Sequence, residues 1–272
     1  MYLVKVYEYL VVYGCLQMCA AVFSILGYES VLIMILKKWE DLPEQFRTDA
    51  VRPYYDSLKK KQWSLFFKRV FDIAASAVLL VVLLPVFVIL AAAIKLDSPG
   101  PVFYRQIRVT QYGKQFRIFK FRTMVSNADK IGTQVTVGND SRITRVGKLI
   151  RKCRLDELCQ LIDVLRGTMT FVGTRPEVPK YVESYTAEMM ATLLLPAGVT
   201  SLASIMYKDE DKLLSSAEDA DLVYVRDVLP GKMRYNLEST KQFGFWGDIK
   251  LMFMTVFAVL GREYAVEESA QL

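Results

Sequence analysis

The sequence predicts a mixed α/β protein that is associated with a membrane. Three observations support this prediction: an uncharged run of 22 residues from Ile73 to Ile94 that contains a proline, two short alternating segments around a Tyr-Gly pair, and helical apolar periodicity in the second half of the chain. The hydrophobic content of 53% is above the usual value for a globular domain. We expect a kinked re-entrant helix, a compact cytosolic domain with interfacial helices, and a small β-hairpin.

The chain is predicted to divide into three parts. Residues 1–38 are expected to form an N-terminal membrane segment, because the 20 residues from Tyr9 to Tyr28 carry no charge and that length can span a bilayer. The basic pair Lys37-Lys38 places the carboxyl side of this segment in the cytoplasm. Residues 39–67 are polar and are expected to form a linker with a surface helix, and residues 68–272 form the main domain.

The second apolar run is expected to bend inside the membrane. Pro85 lies within it, and a proline in a helix costs about 3 kcal/mol because it removes one amide donor and clashes with the preceding turn. Both flanks of the run are rich in lysine and arginine, and such flanks stay in the cytoplasm. The sequence therefore predicts a re-entrant helix over residues 70–96 that is kinked at Pro85 and enters and leaves through the same leaflet.

A β-hairpin is predicted directly after this helix. Val102–Val109 and Gln115–Phe121 alternate apolar and polar residues on either side of a Tyr-Gly turn. The polar side chains of the hairpin include Lys120 and Arg122. Two interpretations stay open for these cations, a solvated strand that faces lipid headgroups and a contact with substrate phosphate.

Three further helices are predicted in the second half of the chain. A short one begins at Ser141, whose hydroxyl is expected to cap it, and leads to Arg151. Another covers Thr186–Leu195, and an apolar one that is too short to span a bilayer covers Trp246–Leu260. These last two are expected either in the membrane interface or in the core.

The most distinctive stretch is Arg151–Arg166, where two adjacent carboxylates, Asp156 and Glu157, stand at a predicted helix start. The helix dipole favours acidic residues there by about 0.3–1 kcal/mol, which is an ordinary explanation for them. Arg151 one turn upstream, and Arg175 in a Gly-containing turn after a short strand, favour a phosphate site instead. A carboxylate and a phosphate repel each other, so such a site needs arginines and a divalent cation such as Mg²⁺, for which both carboxylates supply oxygen ligands.

Composition excludes several kinds of chemistry. The chain contains no histidine, which removes Ser-His-Asp and Cys-His catalysis and histidine-ligated zinc. Its four cysteines form no Cys-x-x-Cys pair, so we expect reduced thiols and no disulfides. The net charge is +6, and we expect the basic residues to bind anionic lipid or an anionic substrate. Nucleic acid is not expected, because the sequence has no basic stripe with interleaved aromatic residues.

Five short motifs follow one another from just before the apolar run to the Gly-containing turn. They are Lys68–Asp72, Ile94–Gln106, Phe119–Met124, Leu155–Leu158 and Phe171–Pro176. Together they resemble the bacterial sugar transferases, the monotopic polyprenyl-phosphate phosphoglycosyl transferases. The resemblance extends over roughly Lys68 to Glu183.

The resemblance implies a role for each residue of the central stretch. Asp156 would be the nucleophile that attacks a UDP-sugar, and Glu157 would hold Mg²⁺ together with it. Arg151 and Arg175 would bind substrate phosphate, with polyprenyl phosphate as the acceptor and UMP as the product. The implied location is the bacterial inner membrane, with the catalytic domain on its cytoplasmic face. One departure from the family pattern is Leu84, because relatives often place a serine before this proline.

Two other functions stay open from the sequence. Asp209 and Asp211 form an Asp-x-Asp element, which is typical of glycosyltransferases that release UDP. A non-catalytic assembly factor with the same fold is the third class, and the intact Asp156 and Glu157 disfavour it. The expected partners are a UDP-sugar, polyprenyl phosphate and membrane lipid, a homodimer is left open, and nucleic acid is not expected.

Overall fold

A computed structural model describes residues 36–128, 140–207 and 219–259. Its helices are α1 (Arg52–Lys59), α2 (Gln62–Val82), α3 (Leu84–Asp97), α4 (Arg145–Lys152), α5 (Gln160–Arg166), α6 (Pro179–Val182), α7 (Leu202–Met206), α8 (Ala220–Val223), α9 (Leu229–Gln242) and α10 (Phe245–Val259). Its strands are β1 (Phe103–Val109), β2 (Gln115–Phe121), β3 (Met169–Val172) and β4 (Ala197–Thr200). The prediction of a mixed fold is confirmed, as a helix-rich structure with two small sheets.

Helices α2 and α3 form a bent pair with an angle of 61° between them. The break is at Leu83, and Pro85 lies in the first turn of α3, where a helix does not need the missing amide. The predicted kink is therefore confirmed, two residues before the proline. In the described part of the chain no single helix is long and apolar enough to cross a bilayer, but this pair passes that test when its two helices are taken together.

The middle of α2 is anchored in the rest of the fold by two buried charges. Arg69 donates to the carbonyl oxygens of Val164 and Leu165, at 2.7 and 2.9 Å, at the end of α5. The carboxylate of Asp72 accepts from the Thr170 hydroxyl at 2.7 Å in β3, and also from the next amide along that strand. Buried charges are costly unless they are paired in this way, so these contacts fix the bent pair against the two elements that flank the candidate site.

The predicted β-hairpin is confirmed. Strands β1 and β2 are antiparallel, with Tyr104 opposite Lys120 and Arg105 opposite Phe119. Because side chains alternate along a strand, these two pairs lie on opposite faces of the hairpin. Strands β3 and β4 form a second, parallel pair. Their chains approach so closely that a Cβ atom on Gly198 would lie 2.2 Å from the backbone nitrogen of Gly173, the residue after β3. Only glycine therefore fits at position 198.

The segment predicted as a linker, residues 39–67, contains the expected helix in α1 but is packed into the fold. Phe46, Val51 and Leu58 are fully buried, in a cluster that also contains Leu194. Large apolar side chains buried in this way place the segment inside a shared core. The predicted membrane segment lies outside the described residues except for its last three positions.

Three local predictions need correction. Thr144, not Ser141, caps α4: its hydroxyl accepts from the Gly147 amide at 3.0 Å. The helix predicted over 186–195 is a 3₁₀ helix over Met189–Leu194. The helix predicted to begin at the two carboxylates begins only at Gln160, after a separate turn. The apolar helix predicted at 246–260 is confirmed as α10.

Candidate active site

Asp156 and Glu157 lie in a single 3₁₀ turn, Leu155–Glu157, between α4 and α5. The chain enters this turn through Arg154, which has the left-handed conformation with φ of 52°. That conformation is uncommon for a residue other than glycine, and such strain often accompanies functional sites. The turn separates the two carboxylates from both helices and places them against β2.

Glu157 is held by two cations. Its carboxylate lies 3.3 Å from the Lys120 ammonium and accepts from both terminal nitrogens of the Arg175 guanidinium, one of them at 3.1 Å. Burial opposes ionisation of Glu157, but attraction to Arg175 and Lys120 outweighs it and lowers the pKa of this carboxyl well below its usual range. Attraction to Glu157 in turn raises the pKa of Arg175. Glu157 therefore favours its ionised form and anchors the two cations.

Asp156 has a different environment. Its carboxylate makes no hydrogen bond to another residue of the described chain, although it is only partly exposed. Burial raises the pKa of Asp156, and the adjacent Glu157 raises it further, against the opposing effect of Lys120 and Arg151. A carboxylate without a hydrogen-bond partner, surrounded by cations, is suited to attack an electrophile that carries negative charge.

The structure brings four of the predicted site residues together and places Arg151 beside them. The four are Lys120, Asp156, Glu157 and Arg175. The Arg151 guanidinium, in the last turn of α4, makes no hydrogen bond or ion pair within the described residues, and its charge acts on Asp156. It is thus available to a ligand.

Arg122 lies elsewhere, so the interpretation of this residue as a contact for substrate phosphate needs correction. Its guanidinium donates to the carbonyl oxygens of Ile94, Ser98 and Pro99, at 3.3, 2.6 and 3.0 Å, where α3 ends. The carbonyl oxygens where a helix ends lack partners within the helix, and the buried Arg122 guanidinium donates to three carbonyl oxygens at the end of α3. Arg122 therefore joins the hairpin to the end of α3.

A buried network behind Arg175 was not predicted. The Tyr224 hydroxyl donates to the carboxylate of Glu177, and the Lys232 ammonium lies 3.0 Å from that hydroxyl and 3.6 Å from the carboxylate. Because Glu177 follows Arg175 by two residues, the network holds the segment that delivers this arginine. Tyr224 is 47 residues away in the chain, and no local pattern indicates the pairing.

The residues present fit a magnesium site whose remaining ligands come from the substrate. The described residues contain no group of three or more acidic or cysteine side chains that would hold a metal alone. Mg²⁺ typically binds through one or two carboxylates together with substrate phosphates and waters. Asp156 and Glu157 supply that number, and the Asp156 oxygens are the less engaged of the two. Asp209 and Asp211 lie outside the described residues.

The chain matches a known family over most of its length. Residues 63–262 match the family described as bacterial sugar transferase. The chain belongs to the bacterial sugar transferase family. This match includes the bent helix pair, the hairpin, both carboxylates and Arg175, so the site described above lies within the region that defines the family.

Several curated bacterial sugar transferases are similar to this chain. The UDP-N-acetylgalactosamine-undecaprenyl-phosphate N-acetylgalactosaminephosphotransferase of Aeromonas hydrophila is 35% identical over 198 residues, which are 72% of this chain and 44% of the relative. The UDP-glucose:undecaprenyl-phosphate glucose-1-phosphate transferase of Escherichia coli is 35% identical over 219 residues, 79% of this chain and 44% of the relative. A Caulobacter vibrioides protein of the same name is 34% identical over 201 residues, 73% of this chain and 71% of the relative. The chain thus spans less than half of the first two relatives.

Proposed function

We propose that this protein transfers a sugar-1-phosphate from a UDP-sugar to polyprenyl phosphate and releases UMP. The observation that carries the proposal is the pairing of a free carboxylate, Asp156, with an anchored one, Glu157, among Lys120, Arg151 and Arg175. Two relatives that are 35% and 34% identical to this chain are named for transfer of glucose-1-phosphate from UDP-glucose to undecaprenyl phosphate, and this supports a reaction of the same kind here.

The first step is attack by an oxygen of Asp156 on the sugar-linked phosphorus of the donor. A phosphorus–oxygen bond forms to the carboxylate, and the bond to the bridging oxygen breaks, so that oxygen leaves with UMP. The product on the protein is an acyl phosphate that carries the sugar. Arg151 and Arg175 stabilise the negative charge on the phosphate oxygens, each charged hydrogen bond contributing about 1.5–3 kcal/mol.

The second step is attack by a phosphate oxygen of the polyprenyl acceptor on the same phosphorus. The bond to Asp156 breaks, the carboxylate is restored, and the sugar leaves on a lipid diphosphate. Both nucleophiles are already anionic, so neither step needs a strong base. This requirement suits a chain that contains no histidine.

Mg²⁺ is proposed as the cofactor, held by Asp156 and Glu157 and by the donor phosphates. When bound, it would supply positive charge to the diphosphate and so reduce the repulsion between that group and the carboxylates. Lys120 and Arg175 already neutralise Glu157, and they keep this side chain in place for its role.

The proposed location is the cytoplasmic face of the bacterial inner membrane, with α2 and α3 as a re-entrant pair. Support comes from apolar side chains on these helices that no part of the described fold covers. Val78, Val81 and Ile89 are exposed by 61%, 74% and 67%. Exposed apolar surface of this kind marks contact with lipid or another apolar partner. Trp63 and Trp246, also exposed, are suited to the interface because tryptophan is enriched at that depth.

The test is a donor panel with purified full-length protein in nanodiscs. UDP-sugars are supplied with and without polyprenyl phosphate, and released UMP and UDP are measured separately. We expect UMP, and a covalent label from sugar-radiolabelled donor even without acceptor. Asp156→Asn should abolish both, Glu157→Gln should lower the rate and the affinity for Mg²⁺, and Asp56→Asn, an exposed aspartate on α1, should change neither.

Two results would contradict the proposal. Release of UDP would show glycosyl transfer and point to residues such as Asp209 and Asp211. Near-normal UMP release by Asp156→Asn would show that the acceptor attacks the donor directly and that Asp156 is not the nucleophile.

A further inference from the structure

The hairpin face turned away from Lys120 carries a cluster of arginines. Arg105 and Arg117 share this face with Phe119 through the strand register, and Arg166 of α5 joins them. The guanidinium carbon of Arg105 lies 3.4 Å from the centre of the Phe119 ring, and that of Arg166 lies 5.1 Å from the same centre. One aromatic ring thus holds two guanidinium groups beside a third.

This arginine cluster has little opposing charge. The acidic group that acts on Arg105 and Arg166 is Asp163, which is buried and accepts a hydrogen bond from the Phe119 amide at 2.8 Å. Arg105 donates two of its nitrogens to the Arg117 carbonyl oxygen. The guanidinium groups of Arg117 and Arg166 make no hydrogen bond within the described ranges, so most donors of the cluster are free.

A ladder of aromatic rings connects the cluster with the bent helix pair. Phe87 of α3 lies 5.4 Å from Phe121, Phe121 lies 5.5 Å from Phe103, and Phe103 lies 5.8 Å from Phe119, centre to centre. Phe119 then contacts Arg105. The ladder thus joins the arginine cluster to α3, one of the two helices proposed above to enter the membrane.

We infer that Arg105, Arg117 and Arg166 bind the phosphate of an anionic phospholipid, at a site separate from Asp156 and Glu157. The guanidinium group is planar, stacks on aromatic rings and donates two parallel hydrogen bonds to a phosphate, and stacking on a ring leaves those donors free. The inference rests on the membrane placement in the proposed function, not on the reaction.

The same face also offers an apolar contact for such a lipid. Ile107 lies opposite Arg117 in the hairpin and is 43% exposed. A lipid bound through its phosphate would have its glycerol and upper acyl carbons beside such a side chain. A free phosphate ion would gain nothing from it, so the surface favours the lipid over the ion.

The experiment measures lipid retention by the full-length chain in a neutral detergent, using native mass spectrometry. The probes are phosphatidylglycerol, phosphatidylcholine and inorganic phosphate. We expect the wild type to retain phosphatidylglycerol selectively, and Arg105→Gln/Arg166→Gln to bind it about tenfold more weakly or worse, as expected for the loss of charged hydrogen bonds. The matched control is Arg145→Gln/Lys148→Gln, two exposed cations on α4, which should bind as the wild type does.

Arg117→Gln serves as the second variant, because the Arg117 side chain is exposed and its removal leaves the fold intact. We expect about threefold weaker retention from the loss of one partly solvated contact. UMP release in phosphatidylcholine nanodiscs should be unchanged in all these variants. Wild-type retention by both arginine variants would overturn the inference, and so would displacement of the lipid by an equal concentration of inorganic phosphate. Failure of UMP release in the wild type, with selective lipid binding intact, would overturn the proposed function alone.

Discussion

At the scale of single residues, two carboxylates that are adjacent in the chain have opposite environments. The Glu157 carboxylate is bound by Lys120 and Arg175, whereas the Asp156 carboxylate makes no hydrogen bond to another residue of the described chain. This asymmetry explains why one aspartate can react while its neighbour stays in place. It also makes the reactivity of Asp156 depend on the charges around it.

The pH dependence of the first half-reaction should report this environment. Burial raises the pKa of Asp156, and Lys120 opposes that effect. A carboxylate nucleophile must be ionised, so covalent labelling should fall as the pH decreases through this raised pKa. Lys120→Met removes an opposing cation, and the fall should then begin at a higher pH. Lys148→Met, on the exposed surface of α4, is the control; a Lys120→Met profile that coincides with it would refute the assignment.

The buried network behind Arg175 provides a second test at this scale. The rings of Tyr224 and Tyr181 are tilted with their centres 4.5 Å apart. Each hydroxyl donates to a carboxylate, and of the two only Tyr224 donates to Glu177, in the segment of Arg175. We expect Tyr224→Phe to lower kcat/KM for the donor about three- to tenfold, in line with the loss of one hydrogen bond. Tyr181→Phe should lower the melting temperature as much as Tyr224→Phe does, but it should leave kcat/KM unchanged. Equal kinetic effects would show that the network is only structural.

At the scale of secondary-structure elements, Arg122 joins the hairpin to the end of α3. Its guanidinium satisfies the carbonyl oxygens of Ile94, Ser98 and Pro99. Arg122→Met would leave these acceptors without their donor and should destabilise the protein by about 3 kcal/mol. The KM for the donor in the folded fraction should not change, because the residue lies away from the carboxylates. Thermal unfolding and donor titration in detergent check both points, and a raised KM at unchanged stability would restore a phosphate-binding role.

A second contact between elements joins α5 to β2. Burial raises the pKa of Asp163 to about 6, above the value of about 3.9 for an unfolded aspartate. Between these values the native state binds more proton than the unfolded state, so stability should fall as the pH rises through about 4 to 6. Asp163→Asn keeps an acceptor for the Phe119 amide and removes the titration. We expect the melting temperature of the wild type to fall by a few degrees between pH 5 and pH 7. In Asp163→Asn this decrease should be absent.

The control for this stability experiment is Asp56→Asn, since Asp56 is exposed and lies on α1. Its melting temperature should follow the wild type at both pH values. An unchanged pH dependence in Asp163→Asn would show that other groups control it.

At the scale of the whole molecule, the proposed re-entrant arrangement of α2 and α3 has a topological consequence. Both outer ends of the pair should lie in the cytoplasm. Single cysteines at Gln62 and Leu96, which are exposed near those ends, in a background without the four native cysteines, should both resist impermeant thiol reagents in intact cells. Leu96 is preferable to Ser98 because the Ser98 hydroxyl accepts from Arg122. Labelling of one site alone would show a spanning pair.

The sequence by itself determined the features that depend on neighbouring residues. The proline bend, the hairpin over 102–121 and the helix of α10 follow from local geometry, from alternation and from periodicity, which act over a few residues. The motifs around Asp156 and Arg175 identified the family in the same way, because their residues are contiguous. Each of these elements was found near its predicted position.

Contacts between side chains far apart in the chain appear only in the tertiary structure. Arg122 is one of the polar side chains of the predicted hairpin, as Lys120 is, but the structure places its guanidinium at the carbonyl oxygens that end α3. The contact between Glu177 and Tyr224, and the burial of Phe46, Val51 and Leu58, likewise join parts of the chain that share no local pattern. The physical reason is that packing and hydrogen bonding act on spatial distance, whereas periodicity and turn chemistry act on distance along the chain.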